Sequence, residues 1–124
     1  KTMTLPNSQI FKEHVNFLKG LDYYYEIDDY IFVHAGVEPE TLLHKTDPYI
    51  FMWIREEFYQ KYEADKIVVY GHTPTSLIQG KGKHDVYFGE NNIIGIDGAA
   101  AYGGKLNCLE LPSKRTYYTS KNYS

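Results

Sequence analysis

The sequence is poor in several things that would each have declared a protein class. It has one cysteine, Cys108, so no internal disulfide can hold it together, and an unpaired thiol suits a reducing compartment; the cytoplasm is the expected location. Its longest apolar runs, such as Ile67 to Tyr70, are strand-sized and too short to span a bilayer, so no membrane role is expected. Lysines and arginines number 13 against 16 acids, a net charge of -3, and they form no dense stripe. Sequence-independent nucleic-acid binding relies on clustered cations, so no nucleic-acid partner is expected either. There is no internal repeat, low-complexity tract or Pro/Ser linker. The hydrophobic and charged fractions, 43% and 23%, are those of a chain that can bury a core. The one excess is tyrosine, 13 against 6 Phe and 1 Trp, a residue that suits half-buried sheet surfaces and interfaces.

What is present reads as helices early and short strands late. Pro6 and Asn7 offer a start, and Ile10, Phe11, Phe17 and Leu18 an apolar spacing, for a helix from about Ser8 to Lys19, with Gly20 as its cap. Tyr23 to Ile27 and Tyr30 to Val33 read as two strands joined by a tight Asp28-Asp29 turn. Asp47 and Pro48 are well placed to start a second helix running to about Tyr62. Lys66 to Tyr70 is a continuous apolar strand of the kind buried on both faces. Beyond Gly71, strands are predicted at Asp85 to Phe88, Ile93 to Asp97, Lys105 to Leu111 and Arg115 to Thr119, with turns between them. The pattern is α+β or a three-layer α/β/α piece.

Two of the five histidines share a setting. His34 follows Tyr30-Ile31-Phe32-Val33, and His72 follows Ile67-Val68-Val69-Tyr70-Gly71, so each stands where a buried strand runs out beside a glycine. Sites in α/β sheets are built at that end of the strands, and two such strands side by side would bring both imidazoles to one rim. Neutral imidazole ligates Zn, Mn or Fe; alternatively each ring is a partly buried polar group satisfied by a backbone carbonyl. His14, His44 and His84 read as surface. A hydrolytic metal site needs carboxylates as well, and only Asp97, beside Gly98, ends an apolar strand. Asp28, Asp29, Glu56 and Glu57 read as turn or helix-surface residues. By this chemistry the chain holds half a site.

One of only two arginines is misplaced for a surface residue. On a continuous helix from Asp47 to Tyr62, Arg55 falls in the apolar arc with Phe51, Ile54, Phe58, Tyr59 and Tyr62, opposite Glu56, Glu57, Gln60 and Lys61. A guanidinium there must either snorkel out to water or meet an anion, since burying it unpaired costs several kcal/mol. If it meets an anion, it is either a phosphate clamp, which its planar fork suits, or half of a structural pair with a buried carboxylate.

Four blocks occur in one order: Phe32-Val33-His34-Ala35-Gly36-Val37, Met52-Trp53-Ile54-Arg55-Glu56-Glu57-Phe58, Val68-Val69-Tyr70-Gly71-His72-Thr73-Pro74, and Ile96-Asp97-Gly98-Ala99 through Leu106. Together they resemble the C-terminal half of bacterial calcineurin-like metallophosphoesterases of the serine/threonine protein phosphatase family, which includes the symmetrical diadenosine tetraphosphatases. The resemblance implies an α/β/β/α sandwich with helices early and a mostly antiparallel strand meander late. It implies two divalent ions (Mn, Fe or Zn), His34 and His72 as ligands of the second, and Arg55 and Tyr102 at the substrate phosphate. Hydrolysis of a phosphorylated protein or small phosphoester by metal-activated hydroxide is the implied activity. The Gly-Asp-x-His-Gly, Gly-Asp-x-x-Asp-Arg-Gly and Gly-Asn-His-Glu blocks of that family do not occur in residues 1–124. The chain is therefore expected to be a partial domain, its C-terminal portion, inactive alone and prone to self-association through surfaces the other half would cover. Asp97-Gly98-Ala99 also departs from the family's usual Asp-Thr-Gly. A non-catalytic binding or assembly module of the same fold, and a nucleotide hydrolase of the diadenosine tetraphosphatase kind, are the alternatives.

Overall fold

A computed structural model of the protein describes residues 7–120. Helix α1, Ser8–Lys19, forms as the sequence predicts: the Asn7 side chain accepts from Gln9 N at its start, and the Gly20 N–H closes its end. Strands β1 (Tyr24–Ile27) and β2 (Tyr30–Val33) pair antiparallel across the Asp28-Asp29 turn, with Asp28 left-handed at φ 51°. Strand β3 (Ile67–Tyr70) lies parallel to β2, and β5 (Ile93–Gly95) parallel to β3. Strand β4 (Tyr87–Gly89) runs antiparallel to β5, completing a five-stranded sheet in the order β1-β2-β3-β5-β4. A separate antiparallel hairpin, β6 (Lys105–Leu109) and β7 (Thr116–Ser120), follows.

The alternation of a strand sorts the core onto the two faces of this sheet. Ile31, Val68, Tyr70 and Ile93 point to one side and are covered by Phe51, Phe58 and Tyr62. Val69 and Ile94 point to the other, with Val86, Phe32, Ile96, Leu109 and Leu111. Phe58 is fully buried, its ring edge-on to Tyr70 with centroids 5.0 Å apart.

One expectation needs correction here. The helix predicted from Pro48 to Tyr62 is broken into α2 (Pro48–Trp53) and α3 (Glu56–Tyr59). Between them Ile54 is extended (φ −61°, ψ 147°), and Arg55 stands outside the helical region. The cause is tertiary. Phe51 O, which an unbroken helix would give to Arg55 N, accepts instead from Ala35 N at 2.8 Å. Between Gly71 and the strands predicted from Asp85 onward, where no element is predicted, Ser76–Gln79 forms one helical turn, α4.

Helix α1 buries none of its residues. Ile10, Phe11, Phe17 and Leu18 are 50–68% exposed, an apolar face with no partner among the described residues. No helix among the described residues is long and apolar enough to cross a membrane.

Candidate active site

The site is built where three parallel strands end. Hydrogen bonds continue past each end and lock the outgoing loops together. Gly71 N donates to His34 O (2.8 Å), Ile96 N to Tyr70 O (2.9 Å), and Thr75 N to Asp97 O (2.8 Å). His34, His72 and Asp97 therefore leave β2, β3 and β5 along one rim, the end of an open parallel sheet at which ligands bind.

The two predicted histidines do meet. His34 Nε2 lies 3.2 Å from His72 Nδ1, with ring centroids 4.9 Å apart. His72 is held in the left-handed region at φ 64°, unusual for a residue with a side chain, and this turns its ring off the line of β3. Trp53 packs edge-to-face on the ring at 5.6 Å. Burial lowers the His72 pKa from its ordinary value; the Arg55 and His34 charges push it the same way, and Asp97 and the Trp53 carbonyl oppose. The ring is thus biased towards the neutral form that ligates metals. The Trp53 carbonyl favours an N–H on the ring, but the geometry falls short of a hydrogen bond, and His72 Nε2 is buried without a partner.

These residues fit one side of an ion. Two nitrogens bound to one cation at about 2.1 Å lie roughly 3.0–3.4 Å apart, which matches the 3.2 Å separation here. They do not fit a whole site. Among the described residues no cluster of three or more His, Cys, Asp or Glu is placed to hold an ion.

The helix break decides what Arg55 does. Its Nη1 donates to His72 O and to Thr73 Oγ1, each at 3.2 Å, and Thr73 is 2% exposed. No carboxylate pairs with it among the described residues, where the ion pairs are Lys66–Glu26 and Lys105–Asp85. The structural-pair alternative therefore has no partner acid, and the remaining donors of the fork are left for a ligand. Arg55 and His72 line a cleft of about 390 Å³ with Asp97, Ala99, Ala101 and Tyr102.

Tyr102 also lines this cleft and is 88% exposed. Its loop is set by close backbone approach. Asp97 Oδ1 accepts from Ala99 N (2.9 Å), Ala99 is left-handed at φ 58°, and Gly104 N returns to Ala99 O (2.9 Å). A Cβ on Gly98 would stand 2.8 Å from His84 O and 2.7 Å from Asn107 Nδ2, so only glycine fits.

His14 and His44 are exposed, as expected. His84 is not a simple surface residue: its Nδ1 is buried without a hydrogen bond, close to Gly104, because the returning glycine loop covers it. Thr73 and Trp53 are site residues that sequence reasoning passed over. Thr73 is the residue after His72, and Trp53 the lone tryptophan two positions before Arg55.

The strand order, the flanking α2–α3 segment and the separate hairpin make this an α+β fold, with helices early and strands late. It is similar to the crystal structure of a protein provisionally named as a diadenosine tetraphosphatase, with a TM-score of 0.72 at 15% identity. The match covers 98% of this chain and 58% of that one, so the chain spans a little over half the length of its structural neighbour. No family model and no curated protein matches the sequence.

Proposed function

We propose that the chain is part of a phosphoester hydrolase in which His34 and His72 hold one divalent ion and Arg55 grips the phosphoryl group. The observation that carries this is the convergence of two imidazole nitrogens, 3.2 Å apart, with an arginine that has no acid partner among the described residues, at the ends of β2 and β3. A divalent cation bound there would supply charge neutralisation and the activation of water.

The chain's own contributions follow from the geometry. Arg55, tethered through Nη1, offers its other N–H groups to phosphoryl oxygens as a preorganised fork. Tyr102 brings a hydroxyl to the same cleft, where it can donate to a phosphate oxygen. Both groups bind and orient. The remaining ligands, and the acid–base chemistry, fall in our reading to the part of the domain beyond these residues, and this chain alone is inactive. The sequence resemblance points to phosphoserine or phosphothreonine proteins as substrates, and the neighbour's name to nucleotides; manganese, iron and zinc all suit the imidazole pair.

The test is hydrolysis of p-nitrophenyl phosphate with added Mn²⁺ by the complete gene product, the 124-residue chain and their Arg55→Lys variants. We expect activity only in the complete product, with Arg55→Lys losing at least tenfold in kcat/KM. An active 124-residue chain, or a complete product indifferent to Arg55→Lys, would contradict the reading. The alternative of a non-catalytic module with this fold predicts ligand binding with no hydrolysis in either form.

A further inference from the structure

Two surfaces of this chain lack a partner among the described residues, and each has the chemistry the other needs. The first is helix α1, which buries none of its residues. At helical spacing Ile10, Phe11, Val15, Phe17 and Leu18 share one arc. Lys12 and Lys19, seven residues apart, follow its edge beside Val15, and Glu13, the helix's one acid, lies on the other edge. The second is a cavity of about 450 Å³. Ile31, Val37 and Tyr62, all buried, line it with Leu42, Leu43 and Ala64. So do Glu26, Glu38, Glu40 and Asp65, against the single base Lys66. Glu26 takes Lys66 at 2.8 Å, and the other three acids have no ion partner among the described residues. Their loop is fixed: Thr41 Oγ1 donates to Pro39 O (3.2 Å), Thr46 Oγ1 donates to Leu42 O (3.0 Å), and Glu40 is left-handed at φ 59°. The cavity is thus preformed, with an apolar lining and an acidic rim.

An occupant has to bring apolar side chains and positive charge together. The carboxylates repel nucleic acid and anionic lipid, whereas an amphipathic helix edged with lysines meets both requirements. Helix α1 is such a helix, and in its own chain it lies outside this cavity. We propose that α1 of one copy docks in the cavity of a second copy, its apolar face inward and Lys12 and Lys19 against Glu38, Glu40 and Asp65. The cavity reaches Asp65 and Lys66, where β3 begins, and the histidine rim stands where β3 ends. The contact therefore goes beyond the hydrolase reading and does not rest on it.

The test is complementation between two variants of the 124-residue chain, followed by sedimentation velocity across a concentration series. One variant carries Phe11→Glu with Phe17→Glu and keeps only the cavity; the other carries Glu38→Lys with Glu40→Lys and keeps only the helix. Wild type is expected to associate and each variant to be monomeric. Their equimolar mixture is expected to associate again, because one supplies the helix and the other the cavity. Lys12→Glu with Lys19→Glu is expected to weaken self-association roughly tenfold, and all four charge reversals in one chain to restore it. Wild type that stays monomeric throughout overturns the proposal. So does association that survives Glu38→Lys with Glu40→Lys, the result expected if α1 packs against α1 instead. A mixture that stays monomeric overturns it too, with circular dichroism confirming that both variants are folded. If the Glu38→Lys, Glu40→Lys chain does not fold, Leu42→Asp, at a position 58% exposed, takes its place with the same expected outcomes. No arm reads hydrolysis or metal binding, so its failure leaves the proposed function untouched.

Discussion

The loop that carries His34 is pressed against the core at Gly36, and this contact has a calculable cost. A Cβ on Gly36 would lie 2.5 Å from Phe58 Cγ and 2.9 Å from Ile54 Cγ2. Phe58 is fully buried, in ring contact with Tyr62 and Tyr70, and cannot retreat. Gly36→Ala is therefore an overpacking change, costing about 1–3 kcal/mol. Phe58→Ala empties the same place from the other side and costs about 3–5 kcal/mol. In the double variant the added methyl enters the space the ring vacated, so the steric part of the Gly36→Ala penalty is relieved. The coupling between the two should reach about 1–2 kcal/mol, well above the roughly 0.3–0.5 kcal/mol scatter of independent sites. The assay is urea unfolding followed by circular dichroism, with all four proteins at one temperature. Native proteins carry only about 5–15 kcal/mol of stability, so Phe58→Leu is the fallback if Phe58→Ala does not fold. Additive costs would refute the packing of the His34 loop onto Phe58.

Further outcomes follow from the same contacts. His72 has a depressed pKa in the folded chain, so below about pH 6.5 the unfolded chain binds more protons. Its contribution to stability is complete above that value and declines as pH falls towards the folded pKa; urea midpoints at pH 7.5 and 5.5 should differ less in His72→Asn than in wild type. Asn91 Nδ2 donates to Tyr59 O (3.2 Å) and Tyr62 O (2.9 Å) at the end of α3, so Asn91→Ala should cost about 1–3 kcal/mol in the same assay. An unchanged midpoint would remove that tie. The bare apolar face of α1 should drive the 124-residue chain to associate, and Phe11→Glu with Phe17→Glu should shift it towards monomer in light scattering. A clean wild-type monomer would argue against association through this face.

The parts of this architecture set by local pattern could be read from the sequence. Helix α1 had its cap and apolar spacing, and β1, β2, β3 and β5 each had an apolar run bounded by turns. The two histidines were legible for the same reason, since each stands just past such a run. The setting of Arg55 was not. Its helix is interrupted by a hydrogen bond from Ala35, about twenty residues away in the chain, and no local propensity encodes that. A continuous helical wheel put Arg55 among apolar residues, whereas the break lets it reach His72 O and Thr73. The α4 turn, four residues long, is below the length at which periodicity speaks. His84 read as surface because the loop that covers it returns from Gly104, twenty residues later. Trp53 as a neighbour of the His72 ring became visible only in the fold, since the two lie about twenty residues apart in the chain.

The central claim, that His34 and His72 share one divalent ion, is tested most directly by titrating Co²⁺ into the 124-residue chain. Calorimetry gives the stoichiometry, and visible absorption reports imidazole ligation. We predict one ion per chain, with binding lost in both His34→Ala and His72→Asn and retained in His14→Ala. Two ligands hold an ion weakly, so saturation is expected only at high metal concentration. Binding that survives either substitution, or absorption showing no imidazole ligation, would contradict the account.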